Sequence, residues 1–436
     1  MRSIELNRRP LRSALLRLLL PLALLVLALA CLPVATAAGE RTLHLFGSGA
    51  DGAKPAAALV ADASGALYGT TVFGGSGSCP GGCGTVFKLT PSGRGFIESV
   101  VYSFSGGDDG AAPYGGLIVD ATGALFGTTA AGGGTGCGDS GCGTVYKLTP
   151  AKNGYVESLL YAFQGGNDGS APRFGTLLED ATGALYGTTE SGGGPGCRGV
   201  GCGTVFKLAP RRNGYAESVL YRFQGGSDGI APLYGVIADA RGVLYGATSA
   251  GGSSGCARGY GCGTIYALTP AHAGYAQSVL YRFSGGLDGA GPNALTGDAR
   301  GVIYGSAVSR GARGNGTVFS LTPARGGYTE NTLFSFGDGA TGSGPAGHLL
   351  FDATGALYGT TLSGGAFGNG TVYRLTPSRT GYRETILYQF KAGANDGGWP
   401  QAGLVSDGRG RLFGTLSAGG NATCGGLGCG AVFELR

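Results

Sequence analysis

The chain has 436 residues, 93 of them Gly and 18 Pro, with 13% charged residues and a formal net charge of +5 at pH 7. That much Gly and Pro without a period would mark a disordered chain, and a chain this long ordinarily divides into two or three domains. A regular repeat overturns both readings, because repeated units join into one body, and the weak charge gives no sign of a nucleic-acid partner.

Residues 1–37 read as a secretory signal. Arg2, Arg8, Arg9, Arg12 and Arg17 precede or interrupt an apolar run through Leu18–Leu29, and Ala35-Thr36-Ala37 is a small-residue cleavage site. Pro21 and that site disfavour an uncleaved anchor helix. Arg8-Arg9-Pro10-Leu11 has a twin-arginine look, but the apolar run suits the ordinary export route. Cys31 is a lipidation candidate, disfavoured because Ala28-Leu29-Ala30 lacks the leucine expected three residues before it. Cleavage removes five Arg and one Glu and leaves a formal charge of about +1. The mature chain has no further apolar stretch long enough to span a bilayer.

From residue 40 the chain is a sevenfold repeat. An L-Y-G-T-T-like segment starts at Leu67, Leu125, Leu185, Leu244, Ile303, Leu357 and Leu412, at spacings of 54–60 residues. The third unit shows the pattern. Phe174–Asp180 is a strand ending in the turn Asp180-Ala181-Thr182-Gly183, and Ala184–Thr189 is a second strand. A glycine-rich loop, Gly192–Gly201, leads to a third strand, Thr204–Leu208, and Pro210–Gly214 turns into a fourth, Glu217–Phe223. Short β-rich runs bounded by Gly, Asp, Asn and Pro are strands and hairpins. The prediction is an all-β, seven-bladed β-propeller of four-stranded antiparallel blades.

Closure is legible too. The seventh unit stops after its third strand, Ala431–Leu435, and the missing strand lies at the start of the mature chain, where Thr42–Phe46 aligns with Leu159–Phe163. The N-terminal strand therefore completes the last blade; a linear β-solenoid would not need this split. A single propeller is expected over 40–436, with blades at about 56–105, 114–164, 173–224, 233–284, 293–337, 346–391, and 400–436 plus 40–47.

The unit D-A-x-G-x-L-Y-G-T-T…G-T-V-[FY]-x-L-T-P…G-Y-x-E-[ST]-x-L-Y-x-F…G-G-x-D-G-x-x-P resembles the GloVer (Gloeobacter/Verrucomicrobia) tandem repeat of exported bacterial proteins, over about residues 40–436. The resemblance implies a propeller-like fold and export, and it assigns no activity. Units five and six depart from it by lacking cysteines, and Arg436 follows the last strand with no sorting signal, so surface anchoring is not expected. The G-x-L-Y-G-T-T core is more distantly similar to sensor-type and sugar-lactone-type propellers.

Ten cysteines of the mature chain fall in local pairs: Cys79/Cys83, Cys137/Cys142, Cys197/Cys202, Cys256/Cys262 and Cys424/Cys429. In an exported chain such pairs predict disulfides. A zinc site needs three or four clustered ligands, and these pairs sit in separate repeats without nearby His. Units five and six replace the cysteine loop by Gly314-Asn315-Gly316 and Gly368-Asn369-Gly370, tight Asn-Gly turns. A crosslink that orders a long glycine-rich loop explains the pairs, and a stapled rim raised around a ligand site is the functional alternative.

The loop between one unit's last strand and the next unit's first strand has the form G-G-x-D-G-x-x-P. Its aspartates, Asp51, Asp109, Asp168, Asp228, Asp288 and Asp396, admit a calcium reading, but one carboxylate before a Gly is better explained as a turn cap. No metal or other cofactor is expected. This loop shares a face with the cysteine loop, and that face is the expected binding face. Candidate ligand-binding residues follow the loop proline, where the units differ most: Tyr114, Arg173, Phe174, Tyr234, Asn293, His348, Trp399 and Gln401. Aromatic and amide side chains around a channel mouth suit a sugar or another small polar ligand.

Catalytic signatures are missing. His44, His272 and His348 are the only histidines, on three different units, and no G-x-S-x-G, H-E-x-x-H or P-loop pattern occurs. Glu179 and Glu190 are the carboxylates that break the repeat, and solvent-facing strand ends account for them as well as a glycosidase pair does. The expectation is an exported, periplasmic or extracellular, monomeric and non-catalytic module binding a glycan or protein ligand. The alternatives are a propeller-type carbohydrate-active hydrolase or lyase, and a purely structural surface protein.

Overall fold

Each repeat folds as its turn residues dictate. The computed structural model describes residues 39–436 except 48, 257, 258, 273, 338, 380, 394, 395, 421–423 and 425, so the signal segment and Cys31 lie outside the described residues. In the third blade, Leu178–Glu179, Leu185–Thr189, Thr204–Arg211 and Gly214–Arg222 pair in that order, all antiparallel. The second strand is buried along its whole length, while the fourth is half-buried, with Gly214, Ser218 and Arg222 exposed. The glycine of L-Y-G-T-T is a packing requirement: a Cβ on Gly187 would lie 2.5 Å from the Phe206 ring.

The hairpin between first and second strands is capped by its aspartate. Asp180 Oδ1 accepts from the N–H groups of Thr182 and Ala184, at 2.8 and 3.1 Å, and Oδ2 accepts from the Tyr186 hydroxyl at 2.9 Å. The same cap recurs at Asp62, Asp120, Asp239, Asp298 and Asp352. Asp407 does likewise through Arg409 and Arg411.

Seven such four-stranded sheets form a ring, and the chain termini meet in the last of them. Its order is Glu40–Leu45, Ala431–Leu435, Leu412–Leu416, Val405–Ser406. Glu40 pairs with Leu435 and Leu45 with Ala431. A one-residue bulge leaves Leu43 unpaired, as it does Leu220 at the equivalent place in blade three. The N-terminal strand therefore reproduces the pairing that the other blades make within one continuous segment.

Packing between blades is equally periodic. The Phe that ends each fourth strand meets the third-strand aromatic of the next blade edge to face. The pairs are Phe46–Phe87, Phe104–Tyr146, Phe163–Phe206, Phe223–Tyr266, Phe283–Phe319, Phe336–Tyr373 and Phe390–Phe433. Ring centroids are 5.0–5.1 Å apart at all seven junctions. Such pairs are worth about 0.5–1.5 kcal/mol beyond the area they bury. Phe46–Phe87 joins the last blade to the first with the geometry of the other six.

All five local cysteine pairs are disulfides: Cys79–Cys83, Cys137–Cys142, Cys197–Cys202, Cys256–Cys262 and Cys424–Cys429. The two ends of each bridge have different surroundings. The second cysteine, Cys83, Cys142, Cys202, Cys262 or Cys429, is at most 1% exposed and packs in the apolar core between blades. It is buried because it stands two residues before the third strand, whose first three residues are buried. Its carbonyl also accepts from the next blade's loop, from the N–H groups of Ala112, Ala171, Ala231, Gly291 and Lys54 in turn. These five cysteines therefore anchor the loop to the scaffold and present nothing to a ligand. The first cysteine of each pair reaches further toward solvent, and Cys137 is exposed.

The short turns of blades five and six keep the same closing bridge as the long loops. Arg310 pairs with Asn315 and Gly364 with Asn369, as Gly132 does with Gly141 and Gly251 with Gly261. The cysteine loop is thus an extension built above a shared closure. Among the described residues a three-residue 3-10 turn spans Cys197–Gly199, and no helix is long and apolar enough to cross a membrane.

Candidate functional site

The residues after each loop proline converge on the ring axis. All seven blades line one cavity of about 280 Å³ there. Much of its wall is Ala and Gly, including Ala56, Ala57, Gly116, Gly347 and Gly403, and onto this small-residue wall project Phe174, Tyr234, His348 and Gln401. Small side chains let seven strands approach the axis and still leave a void.

The backbone that brings them there is strained in a repeated way. The residue before the loop proline is left-handed at Lys54, Ala112, Ala171, Ala231 and Trp399, with φ of 54–58°. Non-Gly residues seldom adopt this conformation, and here it recurs because each loop must turn its chain inward. Phe174 adds a departure of its own, with φ +41°, and the carbonyl of Arg173 accepts from the N–H of Gly175 across it. Strain of this kind on a large aromatic is a marker of a constrained site.

Phe174 is the middle of an aromatic arc. Its ring lies 5.3 Å from that of Tyr114 and 6.1 Å from that of Tyr234. The Arg173 guanidinium sits 5.6 Å over the Tyr114 ring and forms an ion pair with Glu190, Nε to Oε2 at 3.1 Å. That pair is close but is not aligned as a hydrogen bond, since Arg173 Nε has no acceptor on its N–H axis. Both side chains stay partly exposed, at 42% and 31%. The crowded channel wall pushes the Tyr234 hydroxyl up to about 12, so it remains a neutral donor at any physiological pH. Glu190 follows the L-Y-G-T-T of unit three, and its break from the repeat was the sequence signal for this pair.

The other candidates divide. His348 lines the cavity, and its Nε2 lies 3.2 Å from the carbonyl of Leu404. Burial holds its pKa below the usual value, with the Leu404 carbonyl pulling the other way, and the imidazole is neutral at pH 7 with its proton on Nε2. Gln401 reaches the wall but donates to Ser417 Oγ at 2.9 Å. Asn293 is only 4% exposed, and its amide donates to Pro345 O at 2.6 Å and to Ser306 Oγ at 3.2 Å, tying blade five to blade six. Trp399 lines a separate surface cavity of about 470 Å³ with Leu427 and Asn369.

The loop aspartates are committed to the scaffold. Asp168 Oδ2 accepts from Gln164 N–H at 2.7 Å and from the Tyr161 hydroxyl at 3.1 Å. Asp109, Asp228, Asp288 and Asp396 repeat this with the residue four or five positions upstream. These caps point back up the chain, and at Asp396 the other oxygen also accepts from the N–H of the following Gly397 at 2.7 Å. Among the described residues no three His, Cys, Asp or Glu are grouped to hold a metal ion. Glu179 is exposed at the D-A-x-G end of its blade, where Asp120 and Lys147 are its charged neighbours, away from Arg173 and His348.

Comparison with solved structures gives distant likenesses. The extracellular domain of a one-component system from B. thetaiotaomicron superposes with a TM-score of 0.50 at 12% identity, over 88% of this chain and 39% of that one. A PQQ-bound aldose sugar dehydrogenase from Streptomyces coelicolor gives a TM-score of 0.45 at 14% identity, over 74% and 94% of the two chains. At such identities these likenesses concern the fold alone. No curated protein matches the sequence significantly. The Gloeobacter/Verrucomicrobia repeat model matches residues 33–197, 135–259 and 255–435, and the chain belongs to that repeat family.

Proposed function

We propose that the protein is an exported, non-catalytic binding module that takes a glycan at the channel mouth. The arc Tyr114–Phe174–Tyr234 carries the reading. Flat aromatic faces suit the apolar faces of a sugar ring, and the Arg173–Glu190 pair supplies a donor and an acceptor beside them for hydroxyl groups. The cavity of about 280 Å³ is the size of one or two sugar rings rather than of a long chain. Five disulfides support an oxidising compartment. A hydrolase or lyase reading needs carboxylates or a base gathered at the mouth. Of the two repeat-breaking carboxylates only Glu190 is there, ion-paired to Arg173, while Glu179 lies elsewhere, and His348 is hydrogen-bonded to backbone.

The test is binding of oxidised protein lacking residues 1–37 to a broad glycan array. A specific hit is expected, weakened about tenfold or more in each of Tyr114→Ala and Tyr234→Ala with the melting temperature unchanged. A folded protein that recognises no glycan, or a hit indifferent to both substitutions, removes the proposal.

A further inference from the structure

We propose that the junction between the last and first blades is a second binding site, for an oligoanion: a ligand carrying several closely spaced carboxylate, sulfate or phosphate groups. It lies at the D-A-x-G end of the ring, opposite the cysteine-loop face, and is independent of the channel-mouth reading. A cavity of about 870 Å³ opens there, and five arginines line it: Arg41, Arg94, Arg409, Arg411 and Arg436.

The repeat supplies its own controls. At four other junctions a tyrosine of one blade stands beside a tyrosine of the next, as Tyr155 does Tyr68 with hydroxyls 3.4 Å apart, and between blades two and three the pair is Phe126 and Tyr215. At this junction both positions are phenylalanine, Phe96 and Phe413, with ring centroids 6.0 Å apart and no hydroxyl between them. The comparable cavity beside Tyr304 and Tyr382 measures about 360 Å³.

The charges are rearranged as well. Where other blades carry Lys88, Lys147 or Lys207 on the third strand, the last blade carries Glu434, which is 0% exposed. Glu434 binds Arg411 at 3.4 Å and Arg436 at 2.8 Å. Arg411 stands where other units have buried Ala or Val, and it also takes Asp407, Nε to Oδ2 at 2.7 Å. That displaces Arg409. Its counterparts Arg241 and Arg300 each grip their own turn aspartate at 2.8 Å, whereas Arg409 contacts Asp407 only through its backbone N–H.

Three guanidinium groups are left over. Arg409 and Arg94 have no carboxylate partner among the described residues, and Arg41 donates only to the carbonyl of Arg94. The lining aspartates cannot serve them: Asp62 is held by Ser64, Ala66 and Tyr68, and Asp407 by Arg411. Planar forks facing a shared cavity, exposed yet without partners, match the oxygens of carboxylate, sulfate or phosphate groups.

Calorimetry on the oxidised protein at low ionic strength tests this with trigalacturonate, a heparin-derived tetrasaccharide and tripolyphosphate, one probe for each anion type. At least one is expected to bind, with affinity falling as salt is added. The repeat-derived double variant Arg94→Asn/Arg409→Thr should weaken it about a hundredfold, on the scale of one charge-assisted hydrogen-bonding group per arginine. Arg241→Thr/Arg300→Thr, which removes the same charge elsewhere, should change it about twofold or less. All four sites are exposed, so folding is spared. The proposal is overturned if none of the probes binds at millimolar concentration, or if the two double variants weaken binding equally.

Discussion

Phe46→Ala should destabilise the protein by about 3–5 kcal/mol, the range for emptying a fully buried aromatic site. Phe46 lies outside the continuous run of blades in sequence, yet it is 0% exposed and seals the last blade onto Phe87 of the first. Its counterpart Phe104 makes the same contact within the uninterrupted part of the ring, also at 0% exposure. Phe104→Ala is therefore the internal standard, and the two losses should agree to within about 1 kcal/mol. Denaturant unfolding measures both. A near-neutral Phe46→Ala beside a damaging Phe104→Ala would mean that the N-terminal strand is not part of the ring. The stakes are high because losing strand Glu40–Leu45 would bare the fully buried strand Ala431–Leu435 as an open edge.

The second large effect is on pH. Every fourth strand but one places a glutamate at the same half-buried position between blades. Burial pushes Glu98 up to about 7, with Asp51 of the preceding loop adding to it, and does the same to Glu217 with Asp168 and to Glu40 with Asp396. Burial also carries Glu384 to about 7, against the pull of Arg313, and it raises Glu157 and Glu330. The unfolded chain ionises these groups near 4.5, so between about 4.5 and 7 the native state holds more protons than the unfolded state. Stability is then fully present below the unfolded value and is lost as pH rises through the folded one.

The turn aspartates act in the opposite direction. Burial works against Asp180 and Asp352, but the hydrogen bonds of their caps outweigh it and hold both at about 2. Their contribution is present above the ordinary value near 3.8 and is lost as pH falls toward 2. The midpoint of thermal or urea unfolding should peak between about pH 4 and 5 and decline toward pH 8. Blade four shows the remedy, since it carries Gln277 where the others carry Glu. Glu98→Gln/Glu217→Gln should flatten the decline without lowering stability at pH 5. A profile that rises from pH 5 to pH 8 would show that these carboxyls ionise freely.

What was legible in the sequence is what the repeat states several times over. Blade number, strand order, the disulfides and the closing strand are each written as a pattern with internal copies, and a shared physical cause produces each copy. The bulge at Leu43 follows simply from matching Thr42–Phe46 to another unit's fourth strand. The pairing of the cysteines is local and so was readable, whereas the burial of Cys83 and its four counterparts depends on the neighbouring blade that covers them. Positions that differ between units carry no such copies. An amide at the start of a first strand reads alike whether it faces the axis, as Gln401 does, or bridges to the next blade, as Asn293 does. Trp399 and Gln401 flank the same loop proline, Pro400, and that single step sends the tryptophan to a different cavity. The arginine-lined junction was hidden for another reason: Arg41 and Arg436 lie at opposite ends of the chain and meet only because the ring closes.

The central claim is that the axial mouth is where a ligand is held. Hydrogen exchange on the oxidised protein, with and without the best glycan identified on the array, tests it most directly. The account predicts slowed exchange in residues 114–117, 173–177 and 233–237, around Tyr114, Phe174 and Tyr234, with the outer fourth strands unchanged. Protection confined to the D-A-x-G end or to the outer strands would contradict it and leave the aromatic arc as part of the channel wall.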